Sequence, residues 1–536
     1  METRQLIFDL IIVGYGPTGL ALASLLGQKG HSIAVVERWP ALYGLPRLTH
    51  IDGETARLIS LAATDGDHAL RESWATPHYN WQNGKGQLLF DVAASNQRRM
   101  LWDDHISVHQ PHIEEAIHER IATLANVQLY RGYTASGLQQ SDAGVELTIT
   151  PSQNDPQALP LQLRGSYLVA ADGSKSFVRE ALGVERIDFG FNERWLCVDT
   201  EPLRELPPKF KDNATQVCDP KRGYMFMPIG RKRQRFEFCV LDKEDTTEMA
   251  GPAAAWRLLE QYHGLGPADL KIIRQVVYTF ECRLASRWRV GRVFLAGDAA
   301  HTNPPYLGQG ACSGMRDAAN LAWKFDLVLR GVAHDTLLDT YEQERRPHAQ
   351  SLMLGSRSLG QIANTANPVK AALRDLLFRL RLNPSAPAFP VLTAGALQHK
   401  ASGSLAPGAG SLPAQGRLVV NGQTLRFDQH AGFGFTLLLR HAPSSAAAAR
   451  MTARLGPLGA RVYVLAPTQE PGLIQVQDVN GVYLALLDEL AADVAILRPD
   501  FVLFGHSELN GMDTLLEELA RQLNMPPASP PDRACT

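Results

Sequence analysis

The hexapeptide Gly14-Tyr15-Gly16-Pro17-Thr18-Gly19 constrains the fold of this chain more than any other feature. It stands between an apolar run, Phe8 to Val13 (FDLIIV), and a segment with helical character from Leu20 to Gly30. A second apolar run, Ser32 to Glu37 (SIAVVE), follows at once. Short runs of this kind read as buried parallel strands, so strand, glycine turn, helix and strand make one βαβ unit. Each glycine has its own steric task. Gly14 permits the tight turn, Gly16 lets the backbone approach a pyrophosphate, and Gly19 lets helix and strand pack closely. The helix then turns its unpaired N–H groups and positive dipole end towards the phosphates. Glu37 closes the second strand, where a carboxylate can accept hydrogen bonds from a ribose. The competing reading is a glycine turn that binds nothing. The register of strand, helix and acid argues against it, but does not say which dinucleotide is bound.

The rest of the chain sets the scale. At 536 residues it predicts two or three domains, and its 45% hydrophobic and 20% charged residues allow a large buried core. A net charge of -2 suggests neither a nucleic-acid nor an acidic-membrane partner. The N-terminal segment lacks the pattern of a signal peptide, and no run of apolar residues is long enough to span a membrane. The six cysteines are scattered without a CxxC pair, as expected of a reduced cytoplasmic enzyme with no disulfide framework and no metal site.

Further elements are read from periodicity. A helix is expected at 111–125, strands at 127–131, 144–150 and 165–171, and alternating, antiparallel-sheet patterns across 186–289. GRVFLAGD at 291–298 returns to the buried-strand pattern, a strong helix is expected from Ser313 to Leu329, and helical text fills 333–382. Residues 399–417, rich in Gly, Pro, Ala and Ser, read as a linker, with Gly408 to Gly410 as flexible spacer. A small α/β domain is expected at 418–524 and a disordered tail at 525–536.

Two further segments carry chemistry. Asp172-Gly173 ends a buried strand and leads to Arg179; taken alone it is equally an ordinary strand-to-helix turn capped by Asp172 or Ser176. The more specific one is Gly297-Asp298-Ala299-Ala300-His301, followed by Pro305-Tyr306-Leu307-Gly308-Gln309-Gly310-Ala311-Cys312. A carboxylate at the end of a strand can bind the ribityl hydroxyls of a flavin. Backbone N–H groups of the loop can stabilise negative charge at the edge of a reduced flavin ring.

These three segments, in this order and spacing, resemble the class A flavoprotein aromatic hydroxylases over about residues 8–395. RFEFCVL, VVYTFECRLASRWRVGRVFLAGDAAH, SGMRDAANLAWKFDLVLRG and LLDTYEQERRPHAQ are most similar to the 3-(3-hydroxyphenyl)propionate hydroxylase branch. The resemblance implies an α/β fold. A Rossmann-like FAD-binding domain would comprise 1–185 with 290–398, an antiparallel substrate sheet 186–289, and a thioredoxin-like, redox-inert domain 418–524. It implies FAD as cofactor and NADH or NADPH as transient co-substrate. O2 would add to the flavin at C4a as a hydroperoxide whose distal oxygen passes to a phenolic ring. It also allows a homodimer, because the family often dimerises.

Carried over position by position, Gly14, Gly16, Pro17, Thr18 and Gly19 hold the pyrophosphate, while Glu37 and Arg38 lie at the adenosine ribose. Arg47, Gln110, Thr134, Asp172, Arg179, Gly297, Asp298, Pro305, Gly308, Gln309, Gly310, Ala311 and Cys312 complete the cofactor set. For Arg47 the competing reading is a surface ion pair, and for Gln110 a residue that begins a helix. His50, Thr49 and Tyr306 are the catalytic candidates, and Tyr224 and Phe226, flanking Met225, the candidate substrate wall. For His50 the alternative is a structural histidine, for Met225 and Phe226 plain core packing, and His301 is expected to be structural. The run Arg231-Lys232-Arg233-Gln234-Arg235 reads chiefly as a solvated turn or strand edge, with a substrate carboxylate as the minority reading.

Two positions depart from the family pattern. Cys312 replaces a frequent Asn, and Asp52-Gly53-Glu54 replaces Asp-Asp-Glu. A phenylpropanoid acid is the branch's expected substrate. A larger fused aromatic, such as a polyketide or quinolone, or a non-hydroxylating flavin oxidoreductase on the same fold, is the alternative. No WxWxIP motif of flavin halogenases is present.

Overall fold

The computed structural model describes residues 7–93, 98–152, 159–382 and 389–525. The tail expected to be disordered lies, after Met525, outside the described residues. Contacts divide the chain into two compact units. The first comprises 1–27, 32–316 and 349–390, the second 28–31, 317–348 and 391–536.

The first unit is built on two large sheets and a small one, in which Ile106–Ser107 lies between His50–Ile51 and Trp74–Ala75. In one large sheet, the strands Val293–Leu295, Leu161–Ala170, Ile7–Val13, Ile33–Glu37 and Val127–Arg131 lie side by side and parallel. Ile11, Ile12, Val35, Val36, Leu168 and Val169 are at most 1% exposed, as in a parallel sheet covered on both faces, whose strands are continuously apolar. The helix Pro17–Gly27 begins with proline, whose missing N–H costs nothing in a first turn.

The second sheet has eight strands in the order His301–Thr302, Leu270–Ala285, Arg186–Pro202, Arg233–Cys239, Tyr224–Ile229, Asn213–Cys218, His78–Asn83 and Leu88–Ala93. The last two come from well before residue 186; His78–Asn83 pairs parallel with Asn213–Cys218 and antiparallel with Leu88–Ala93, so this sheet is mixed and larger than its expected span. Its two faces have different partners. Leu196, Val198, Phe226, Phe236 and Phe238 pack with Phe210 and with Leu258 and Leu259 of the helix Pro252–His263. The opposite face is left for the site described below.

In the second unit, Ile474–Gln475, Arg461–Val464, Thr436–Leu439, Val494–Leu497 and Leu503–Ser507 form a five-stranded sheet. Trp323, Leu327, Phe435, Leu437 and Met451 share its core. Glu344, fully buried, is bound by Lys324 at 3.0 Å and Arg498 at 2.7 Å. Residues 399–417 are not a loose spacer. Ala406 and Ala409 are each 8% exposed, Gly410 N–H donates to Leu503 O at 2.9 Å, and Gly410 O accepts from Leu392 N–H at 3.0 Å. The glycines there make left-handed turns that return the chain onto the sheet, a task their composition shares with true linkers. The helix expected from Ser313 begins earlier, at Gly310. No helix among the described residues is long and apolar enough to cross a membrane.

Candidate active site

The glycine turn is a steric lock on one side and an open cradle on the other. Gly14 has φ +104°, and a Cβ there would stand 2.2 Å from Ala171 O; a Cβ on Gly19 would stand 2.0 Å from Gly14 O. At Gly16 a Cβ would meet nothing within 4 Å. Glu37 is fixed by the N–H groups of Tyr15 at 2.8 Å and Trp39 at 3.0 Å. Thr18 packs into the spaces that a side chain at Gly297 or Gly314 would fill, tying this turn to the end of the strand Val293–Leu295.

Asp298 follows that strand. It is solvent-exposed yet ringed by protein, an enclosure that raises its carboxyl pKa, while His301 and Arg47 pull it back. Arg47 is exposed, with its guanidinium 3.8 Å from the Tyr43 ring centre. Gln110 accepts from the N–H groups of Arg47 at 2.9 Å and Leu48 at 2.6 Å, and donates to Glu114 at 2.7 Å. Its amide therefore shapes the segment that carries Arg47. Arg179 donates to the carbonyls of Ala299 at 3.1 Å and Ser174 at 2.9 Å, joining the Asp172-Gly173 and Gly297-Asp298 turns, while Asp172 Oδ1 is buried without a partner. Arg38 and Thr134 are exposed, the latter with its hydroxyl on Ser152 at 2.7 Å.

Pro305–Leu307 is a single 3-10 turn closed by Gly308 at φ +63°. Because the next helix begins at Gly310, the first-turn N–H groups of Gly310, Ala311 and Cys312 are not consumed within it and can meet negative charge. A Cβ on Gly308 would stand 2.6 Å from His50 Nδ1, so turn and imidazole are in contact. Burial, with His105 3.2 Å from Nε2, pushes the His50 pKa down to about 4. At neutral pH the ring is therefore an uncharged base. Cys312 is fully buried, and that burial pushes its thiol up to about 12, as fits a neutral packing group. Gly53 faces Met100, whose Cβ would lie 3.1 Å from an added Cβ, so this departure from the family pattern is a packing feature. His301 is 1% exposed and stacks on Trp288.

The structure supplies a support for the turn that the motifs did not reveal. Arg316, 4% exposed, binds Asp52 at 2.5 Å, Glu54 at 2.6 Å and Gln309 Oε1 at 2.9 Å. Asp52 also caps the helix Gly53–Ala62. Despite burial, Arg316 and the Thr55 N–H hold its carboxyl down at about 2 against an ordinary 3.8. A depressed carboxyl stabilises fully above its unfolded pKa, and the contribution is lost as pH falls through the folded value. We expect Asp52→Asn, which keeps the cap, to cost about 2 kcal/mol at pH 6. Urea unfolding of both proteins should show the gap narrowing below about pH 4, with the wild type carrying the steeper pH slope.

Tyr306 is 4% exposed and its hydroxyl donates to Glu193 at 2.7 Å, in a network with Asn364 and the Trp195 indole. Its ring lies 6.3 Å from Trp81 and 6.4 Å from Trp195. Its hydroxyl is thus committed to the scaffold, while its ring joins the turn to the sheet. Tyr224 and Phe226 are not the wall expected of them. Tyr224 packs on Tyr262 at 4.7 Å and Phe226 on Phe210 at 4.9 Å, on the helix-covered face. Alternation along the strand turns Met225 and Met227 to the other face, where Thr49 Oγ1 lies 3.3 Å from Met227 Sδ. Directly paired residues share that face: Glu237 with Met225 and Cys197, Arg235 with Met227 and Asp199, Arg274 with Asp199, and Tyr278 with Trp195.

In the charged run, Arg231 and Lys232 are exposed at a turn, as expected, but Arg235 turns inward. Arg235 is 5% exposed and binds Asp199 at 2.6 Å, the Arg47 carbonyl at 2.9 Å and the Pro46 carbonyl at 2.9 Å. Arg274 adds a bond to Pro46 O at 2.8 Å. The sheet thereby grips the main chain of the segment that leads to Thr49 and His50.

An open glycine cradle, an enclosed but accessible carboxylate, an exposed arginine without an acid partner among the described residues and a turn with free N–H groups fit a dinucleotide that carries a flavin. The chain belongs to the family described as FAD binding domain, whose model matches residues 8–356. A second model, HcaD C-terminal domain, matches 410–522. Among characterised sequences, the probable NADH-specific resorcinol 4-hydroxylase of Rhodococcus jostii (strain RHA1) is 34% identical, over 98% of this chain and 96% of that protein. The 3-(3-hydroxy-phenyl)propionate/3-hydroxycinnamic acid hydroxylase of Mycobacterium sp. (strain KMS) is 32% identical, over 93% of this chain and 88% of that protein. The fold is shared with aklavinone-11 hydroxylase in complex with FAD and aklavinone, with TM-score 0.77 and 22% identity over 96% of this chain and 99% of that one. It is shared equally with the flavin-dependent monooxygenase PieE, with TM-score 0.79 and 20% identity over 97% and 100%.

Proposed function

We propose that this chain is an FAD-dependent monooxygenase that hydroxylates a phenolic ring with NAD(P)H and O2. The observation that carries the reading is the meeting of three groups at one face: the Gly308–Gly310 turn, neutral His50, and the sheet face of Met225, Met227 and Trp195. FAD, when bound, supplies electron transfer from the nicotinamide to O2 and delivery of one oxygen atom to the ring, the other oxygen leaving as water. Gly16 and the N-terminus of Pro17–Gly27 accommodate the pyrophosphate, Glu37 the ribose, and Asp298 and Arg47 the flavin end. His50 and Thr49 lie where a phenol hydroxyl would be met. An uncharged imidazole there can accept the phenolic proton and make the ring a stronger nucleophile. Met225, Met227 and the rings of Trp195 and Tyr306 keep water from the reacting atoms.

The same reading extends to the second unit. Thr436–Leu439, central in its sheet, pairs parallel with Arg461–Val464 across the helix Ser445–Leu455, and antiparallel with Val494–Leu497. That arrangement, closed by the helix Met512–Gln522, supports a thioredoxin-like domain, and its span holds no cysteine. Cytoplasmic residence is supported by the five unpaired cysteines among the described residues.

The test is NADH oxidation and O2 uptake by the FAD-loaded protein across a panel of phenols, with mass spectrometry of the products. At least one phenol should accelerate oxidation and gain one oxygen atom. Equal oxidation with and without every phenol, yielding only peroxide, would overturn the reading.

A further inference from the structure

The sheet face that meets the Thr49–His50 segment carries one acid whose hydrogen bonds the fold leaves unmade. Glu237 is 5% exposed, between Met225 and Cys197 on neighbouring strands. Arg235 Nη1 stands 3.7 Å from its Oε1, beyond hydrogen-bond reach, and only the weak thiol donor of Cys197 lies beside it. No N–H or O–H group of the described residues donates to it. A carboxylate in so enclosed a place is costly without donors, and an incoming molecule can supply the one that is missing.

The cations of the same face are already spent. Arg235 is taken by Asp199 and by the carbonyls of Pro46 and Arg47, and Arg274 by Pro46 O and Asp199. A ligand carboxylate would find no free positive partner among these residues and would meet Glu237 as a like charge. A ring hydroxyl, by contrast, donates what Glu237 lacks.

We infer that Glu237 accepts a hydrogen bond from a hydroxyl of the substrate, and that the substrate is a neutral benzene ring bearing a second hydroxyl rather than a phenol with a carboxylate arm. One hydroxyl meets Thr49 and His50, the other meets Glu237, and the thioethers of Met225 and Met227 lie against the ring. The inference rests on the hydroxylase reading and deepens it.

The experiment uses the FAD-loaded enzyme with 1,3-dihydroxybenzene and 3-(3-hydroxyphenyl)propionate. Binding is read from the flavin absorbance change, and turnover from product formation. The wild type should favour the diol in kcat/KM by about tenfold or more. Glu237→Met, which removes the acceptor, should lower kcat/KM for the diol by about 10- to 100-fold and narrow its lead over the acid, with FAD content retained. Should E237M fail to hold FAD, E237Q serves in its place: its amide oxygen still accepts from the diol, but the charge that repels a carboxylate is gone, so the acid should gain and the diol's lead should narrow. A wild type that prefers the propionate, or an E237M enzyme (E237Q where E237M holds no FAD) with unchanged preference, overturns the inference while leaving the hydroxylase reading intact. A wild type that hydroxylates neither compound, nor any other phenol, overturns both.

Discussion

Exchange of Gly14 for alanine is expected to abolish folded, flavin-bearing protein, whereas the same exchange at Gly16 leaves a folded protein that has lost FAD. At Gly14 two costs coincide. A φ of +104° is foreign to an L side chain, and the new Cβ would lie 2.2 Å from Ala171 O, in the backbone that continues Leu161–Ala170. Strain and overlap of this kind cost on the order of 3 kcal/mol or more. The overlap can be relieved only by parting Ile7–Val13 from its parallel neighbour, to which Ala171 N–H is bonded through Val13 O at 2.7 Å. At Gly16 neither cost arises, since nothing lies within 4 Å of the added atom. Its stability should stay within about 0.5 kcal/mol of wild type. Its flavin affinity, followed by fluorescence on titration with FAD, should drop at least about tenfold, because the methyl group occupies the space that the pyrophosphate needs. Soluble yield, urea unfolding and flavin titration of the two variants separate steric lock from cradle. Equal behaviour of the pair would remove the basis for both assignments.

Replacement of Arg235 by methionine is the second large effect. Asp199 is fully buried, and Arg235 is its closest partner, at 2.6 and 3.0 Å. Arg274 stays 3.3 Å from Asp199, so removing Arg235 leaves a buried charge only partly compensated and costs about 3 kcal/mol, the low end for a broken buried pair. The same substitution frees the carbonyls of Pro46 and Arg47, so flavin affinity should fall together with stability. The double variant R235M/D199N should recover much of the lost stability but not the flavin affinity, because the carbonyls remain ungripped. Recovery of both would show that the bonds to Pro46 and Arg47 matter little. No recovery of either would show that packing, not charge, dominates at this position.

The parts of the molecule legible in the sequence are those whose cause is local. The glycine turn, Glu37 and Asp298 each sit within or beside a strand-turn-helix segment that declares itself by composition. The grip on Pro46 and Arg47 is not local. Asp199 and Arg235 are 36 residues apart and Asp199 and Arg274 are 75 apart, so only the pairing of three strands assembles them. A run of five basic and amide residues looked like solvated surface because nothing in it marks Arg235 as the inward member. The alternation of YMFMPI predicts two faces but not which one a helix will cover. That choice was made by Pro252–His263, whose leucines take the phenylalanine side and leave the methionines for the site. The packed glycines at 408 and 410 show the converse case, in which the composition of a spacer serves tight turns.

The grip of Arg235 and Arg274 on carbonyls has a consequence for how this sequence can drift. A carbonyl is the one group every residue offers, so the side chains around Pro46 can change without loosening the hold upon them. Asp199, Arg235 and Arg274 have no such freedom, since a change at one is penalised until another compensates. The three should therefore behave as one inherited unit with strong epistasis. Met225 and Met227, on the same face but bearing no charge, should accept exchange singly. New substrate preferences would then be reached most easily by varying the two methionines around an invariant ionic triad.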